Sequence, residues 1–75
     1  MHVKRRVIPA LYGTAAWQAL RQQVRTEEPL CRICGSRPST EVDHVLALRL
    51  RPDLALERAN LRGLCHSCHV AHGSR

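Results

Sequence analysis

The chain has no phenylalanine, one tryptophan (Trp17) and one tyrosine (Tyr12) among its 75 residues. Large aromatic side chains supply the most burial per residue, so their scarcity excludes a domain held together by an aromatic core. At this length one domain is the limit, and a thin aliphatic core needs a staple. Acidic residues are also few. Six Asp and Glu stand against twelve Lys and Arg, giving a net charge of +6, which points towards polyanionic partners. No apolar run reaches membrane-spanning length. Only Val7-Ile8 follows the basic Met1–Arg6 stretch before Pro9, too little for the apolar core of a secretory leader. The expectation is therefore a cytoplasmic protein with reduced thiols. Internal repeats and low-complexity tracts are absent, which excludes solenoid and array architectures.

What the chain does contain is four cysteines in two pairs, Cys31-Arg32-Ile33-Cys34 and Cys65-His66-Ser67-Cys68. Two disulfides would use the same residues, but in a reducing compartment paired Cys-x-x-Cys spacings favour zinc. Four thiolates and one Zn²⁺ would lower the net charge to about +4, still cationic. His66 and His72 are rival ligands, and coordination by three cysteines and one histidine stays open as the alternative. Cys34 and Cys65 are separated by 30 residues, more than a compact zinc ribbon needs. A clamp of that span encloses something, and the enclosed segment contains Asp43-His44 and Asn60, with His69 just beyond the last cysteine.

The patterning sets an order of elements. Residues 1–13 form a basic arm, with Lys4, Arg5 and Arg6 as candidate phosphate contacts, and residues 14–75 a single domain. Thr14 is an N-cap for a helix running to about Arg25, whose Trp17, Leu20 and Val24 form one apolar stripe. Glu28-Pro29 ends it, because the residue before proline disfavours helical backbone. Cys31–Gly35 predicts a zinc knuckle, with Gly35 free to take positive φ. Thr40–Leu46 is rich in β-branched residues and predicts a strand, and Leu61–Leu64 a second one. Between them, Leu48–Ala59 is broken by Pro52-Asp53 and reads as loop plus one short helical turn. Cys65 to about His72 predicts a short helix stopped by Gly73.

Hydrolysis of a phosphodiester needs a base for water, a cation for the developing charge, and groups that orient both. His44 suits the base, since imidazole titrates near neutrality. Asp43 and His69 suit a divalent metal, and Asn60 can hold the base or its loop. In an ideal strand Asp43 and His44 point to opposite faces, so one site uses both only if the strand ends or bulges there, or if the metal lies beside it.

The ordered pattern Cys31-x-x-Cys34, Val42-Asp43-His44, Asn60-Leu61, Leu64-Cys65-x-x-Cys68-His69 resembles the HNH endonuclease family, in its zinc-stapled branch common in phages and mobile elements. The resemblance spans roughly residues 14–72. It implies a small α+β fold, the ββα-metal motif with a four-cysteine structural zinc and an N-terminal helix. It also implies metal binding by Asp43 and His69 (Mg²⁺, Mn²⁺, Ni²⁺ or Zn²⁺), His44 as general base and Asn60 as its support. The reaction implied is DNA nicking or cleavage giving 5′-phosphate and 3′-hydroxyl ends, in a phage or bacterial host cell. Arg49, Arg51, Arg58 and Arg62 lie between the catalytic residues and are expected to face phosphate. The chain departs from the family in lacking glycine between His44 and Gly63, and in carrying His72 where a lysine often stands. Weak sequence preference is expected of so small a surface, and service to a phage packaging machine is an expectation by family analogy. The competing reading is a non-catalytic, zinc-stapled nucleic-acid-binding module.

Overall fold

The computed structural model describes residues 11–73; the basic arm expected around Lys4–Arg6 lies outside them. After the helical Leu11-Tyr12 pair comes helix α1 (Ala15–Glu27), followed by strand β1 (Glu41–His44), two single-turn 3₁₀ segments (Pro52–Leu54 and Arg58–Asn60), strand β2 (Leu61–Leu64) and helix α2 (His66–His72). This is the small α+β architecture the sequence implies. No helix among the described residues is long and apolar enough to cross a membrane.

Helix α1 starts as its sequence dictates. Thr14 has extended backbone, and its hydroxyl accepts from the Trp17 N–H, satisfying one of the free donors of the first turn. The helix runs two residues past the expected Arg25, to Glu27, and ends at Glu28, whose own N–H still donates to Val24 O. Its buried face holds Trp17 and Val24, which pack with Leu11, Leu48 and Leu61, while Leu20, Val42 and Ala55 close the edges. Leu11, within the stretch assigned to the arm, is thus part of the core.

Strands β1 and β2 pair antiparallel, with Glu41 opposite Leu64, Val42 opposite Gly63, Asp43 opposite Arg62 and His44 opposite Leu61. β1 is shorter than the Thr40–Leu46 expected, and the reason is local. Val45 N–H still bonds to the facing Asn60 O (2.8 Å), but Leu46 N–H turns to the Asn60 side chain (2.8 Å), and the strand pairing goes no further. Side-chain alternation then divides the hairpin. Val42 packs towards the α1 core and His44 stacks on Trp17, whereas Glu41 and Asp43 reach α2.

Glu28 ties these parts together where α1 meets the first cysteine knuckle. Its carboxylate accepts from Arg58 (2.8 Å), Arg32 (3.0 Å) and the Gly63 N–H (2.8 Å), and its carbonyl accepts from the Ser39 hydroxyl. Burial works to raise this carboxyl, but the Arg58 guanidinium, the Gly63 amide and Arg32 outweigh it and hold it below the ordinary glutamate value. The close approach also explains a glycine. A Cβ on Gly63 would sit 2.8 Å from Ser39 Cβ and 3.1 Å from Glu28 O, so β2 can lie here only without a side chain.

Candidate functional site

The first element of the site is its staple. Gly35 takes φ of +68° and donates to Cys31 O, closing the first knuckle, while Cys65 is the residue at which α2 begins. The four sulfurs lie within 4.8 Å of one another, and Cys34 Sγ is 3.9 Å from Cys65 Sγ. Sulfurs bound tetrahedrally at about 2.3 Å stand about 3.8 Å apart, so the cluster has the dimensions of a tetrathiolate metal site and not of two disulfides. Among the described residues this is the one group of three or more such side chains placed to hold an ion. His66 and His72 lie outside it, which leaves the alternative of three cysteines and one histidine without its fourth ligand.

The thiols are electrostatically unequal. Burial works to raise Cys31, but N–H groups of Cys65, Cys34 and Ile33 overcome it and bring the thiol down to about 5. The Ser36 amide and hydroxyl lower Cys34. Burial, and then the neighbouring sulfurs, push Cys68 up to about 12. Such a cluster favours one strongly stabilised thiolate and keeps a proton on Cys68 until a cation takes its place.

The second element is built on the α2-facing side of β1. Asp43 is almost fully buried, and its Oδ1 lies 3.7 Å from His69 Nε2. Two ligand atoms about 2.1 Å from one cation, seen at about 120°, are separated by about this distance. His69 remains about a third exposed (37%), so the pair opens to solvent on one side. Arg62, across the strand pair, donates to Asp43 Oδ2 (3.1 Å from Nε) and to His72 O. Glu41, not singled out by the sequence reading, lies two residues before Asp43. Its carboxylate is 2.6 Å from His69 Nδ1 and 2.5 Å from His66 Nδ1. The two-residue strand period was the available signal, since Glu41 and Asp43 share a face.

His44 occupies the other side of the strand. Its ring stacks nearly flat on Trp17, with centroids 5.3 Å apart and planes at 13°, and Tyr12 closes edge-on against the indole. Burial, then the Asp43 charge, raise the Tyr12 phenol. His44 Nε2 is 3.0 Å from Ala55 O. A carbonyl can only accept, so Nε2 carries the proton and Nδ1 retains the lone pair in the neutral ring. Asn60 is buried behind this contact. Its Oδ1 accepts from Leu46 N–H (2.8 Å), and its Nδ2 donates to Leu46 O (3.2 Å) and Leu54 O (3.5 Å), pinning both ends of the segment from which Ala55 reaches His44.

The four arginines are not equivalent. Arg49 and Arg51 are exposed on the connection after β1, Arg51 paired with Asp53. Arg62 stands against Asp43. Arg58 is committed inward, to Glu27 (2.9 Å), Glu28 (2.8 Å) and Leu61 O (3.0 Å), where it clasps α1 to the turn before β2.

A two-stranded hairpin and a short helix framing a carboxylate–imidazole pair, next to a four-cysteine cluster, constitute a ββα-metal nuclease fold. The family model of the HNH endonuclease matches residues 31–75, and the chain belongs to the HNH endonuclease family. It is similar in structure to the HNH endonuclease of the deep-sea thermophilic bacteriophage GVE2, crystallised with a manganese ion. The two share 27% sequence identity and superpose with a TM-score of 0.86 over 93% of this chain and 82% of that one. A search of curated proteins yields no significant match.

Proposed function

We propose that this chain is a metal-dependent DNA endonuclease in which Asp43 and His69 hold one divalent cation and His44 is the general base. One observation carries the reading: Asp43 Oδ1 and His69 Nε2 stand 3.7 Å apart at a solvent-open strand–helix junction, with His44 the next residue in the chain. That β1 ends at His44 supports a single site drawing on both residues, since the chain is free to present them at its end.

His44 Nδ1, left basic by the Nε2–H bond to Ala55 O, takes a proton from the water that attacks phosphorus. The phosphorus–oxygen bond to the 3′ oxygen then breaks and that oxygen takes a proton from a solvent water, leaving 5′-phosphate and 3′-hydroxyl ends. Asn60 keeps the base aligned by fixing the loop that carries Ala55. A cation held by Asp43 and His69, whether Mg²⁺, Mn²⁺, Ni²⁺ or Zn²⁺, supplies positive charge to the phosphoryl oxygens. Two protein ligands leave room for water and phosphate. Arg49 and Arg51 are placed on the exposed connection to meet DNA phosphates, with Arg62 beside the metal ligands; Arg58's partners fit it for holding the fold. Zinc at Cys31, Cys34, Cys65 and Cys68 is structural. We assign the basic arm, expected over residues 1–13, to the stretch before Leu11, which already packs in the domain core, and expect weak sequence preference. The setting is the cytoplasm of a phage-infected or bacterial cell, where a packaging machine is a candidate partner by analogy.

The test is conversion of supercoiled plasmid by purified protein with each divalent metal, beside His44→Ala. Metal-dependent nicking or cutting that falls by about 100-fold or more in His44→Ala is expected. An intact plasmid under every metal, together with salt-dependent DNA binding, would leave a binding module in place of an enzyme.

A further inference from the structure

We infer that Glu41 is the positioning residue of the metal site: it fixes the ring orientation and tautomer of His69 so that Nε2 faces Asp43. The inference rests on His69 being a metal ligand, as proposed above, and adds the group that makes it one. Glu41 and Asp43 are i and i+2 on one strand, so both carboxylates point at α2. His69 lies between them, Nδ1 at 2.6 Å from Glu41 Oε1 and Nε2 at 3.7 Å from Asp43 Oδ1. The two distances assign different tasks. At 2.6 Å, Glu41 accepts the Nδ1 proton directly in a charge-assisted hydrogen bond. At 3.7 Å, Asp43 leaves a gap of the size a cation fills.

A neutral imidazole carries one proton, and the carboxylate that binds it decides which nitrogen is free. With Nδ1–H held by Glu41, the lone pair is on Nε2, the nitrogen aimed at Asp43. Without Glu41, the exposed ring is free to rotate and to exchange tautomers, and each wrong state must be reversed before a metal binds. The second Glu41 oxygen, Oε2, is occupied by His66 Nδ1 at 2.5 Å. His66 thereby restrains the carboxylate from the solvent side while remaining largely exposed itself.

The experiment uses protein carrying one zinc per chain and reads two quantities besides cleavage. The first is the His69 tautomer in wild type at pH 8, from ¹⁵N–¹H correlations of the ring; the expected state is Nδ1–H with Nε2 unprotonated. The second is the Mn²⁺ dissociation constant. Glu41→Ala is expected to weaken Mn²⁺ binding by about 10- to 100-fold. Glu41→Gln, whose amide oxygen still accepts from Nδ1–H, should lose less, and His66→Ala, which removes only a restraint on the Glu41 carboxylate, less than Glu41→Ala. An Nε2–H tautomer in wild type, or Mn²⁺ binding unchanged in Glu41→Ala, overturns the inference. So does Glu41→Gln losing as much as Asp43→Ala, because Glu41 would then be a ligand. Failure of the metal-site reading is distinguishable: Mn²⁺ would bind wild type and an Asp43→Ala/His69→Ala variant alike, whatever residue stands at 41.

Discussion

Asn60 offers the sharpest test of how the base is held, through a comparison that volume alone would order the other way. Asn60→Asp is nearly isosteric, whereas Asn60→Ala removes the whole amide. In the native site Oδ1 takes one N–H at 2.8 Å, and Nδ2 serves two carbonyls at 3.2 and 3.5 Å. Truncation to Ala leaves the Leu46 amide and carbonyl without their side-chain partner. Counting one good hydrogen bond and one weaker one, with the longest contact near zero, the cost is about 2 kcal/mol. Aspartate retains the bond from Leu46 N–H but turns a carboxylate towards two carbonyl oxygens, in a position that is nearly fully buried. Its expected cost at pH 7.5 is about 2–4 kcal/mol, at least that of alanine. The assay is urea unfolding of the zinc-loaded proteins at matched zinc concentration, since bound metal contributes to apparent stability. Cleavage should fall in both variants with DNA affinity nearly unchanged, because Asn60 acts through the loop and not on phosphate. An Asn60→Asp protein within about 0.5 kcal/mol of wild type would refute the reasoning, as that is the scatter expected of substitutions away from buried polar networks.

Three further expectations concern the cysteine cluster and the contacts that hold the fold. Chelating the metal should unfold the chain, because binding at a tetrathiolate site supplies about 10–16 kcal/mol, comparable to the whole stability of a small domain. Zinc loading at pH 7.5 should also release at least the Cys68 proton, which calorimetry in buffers of different ionisation enthalpy measures; loading without proton release would contradict the sulfur cluster described. Glu28→Gln should cost about 1–3 kcal/mol at pH 7. Because the folded Glu28 carboxyl is held below its ordinary value, its contribution is present above the unfolded pKa of about 4.3 and fades as pH falls through the folded value. The gap between wild type and Glu28→Gln should therefore narrow below about pH 4.5; the zinc contribution is common to both proteins, and a gap constant with pH would remove the charge from the explanation.

Much of this fold could be read from the sequence, for identifiable reasons. Thr14, the Trp17–Leu20–Val24 stripe, Gly35 and the cysteine spacing each act within a few residues, where cap chemistry, helical period and turn conformation suffice. What escaped detection was set by contacts distant in sequence. β1 stops at His44, and not Leu46, because the Asn60 side chain captures Leu46 N–H from across the hairpin. Arg58 shares its charge type with Arg49 and Arg51, yet its guanidinium turns inward, since Glu27 and Glu28 arrive from the end of α1. Gly73 is a related case. It stops α2 where the sequence places the stop, but with φ of −63° it makes no left-handed turn. A Cβ there would run into the His69 carbonyl oxygen and lie 2.9 Å from His69 Cδ2 and 3.3 Å from Asp43 Oδ1, so the chain can close against His69 here only without a side chain.

The opposition between neighbours on a strand, which from sequence argued against Asp43 and His44 sharing a site, is better understood as a division of labour. The α2 face of β1 gathers the carboxylates and His69, the donor groups that the proposed cation site would use. The α1 face carries His44, packed against Trp17 and held through one carbonyl, an alignment that suits the general base proposed above. Placed on one face, the imidazole and the carboxylates would compete for the same cation, and a metal-bound nitrogen has no lone pair left for a water proton. Half a strand period separates them by side, and in the proposed reaction the end of the strand at His44 is where the two sides would meet a phosphate. The cysteine cluster adds the remaining constraint. It fixes Cys65, from which α2 starts, and so sets where His69 falls relative to Asp43. In a chain with so little core, the position of His69, the proposed metal ligand, is thus set by the cysteine cluster beside it in the sequence.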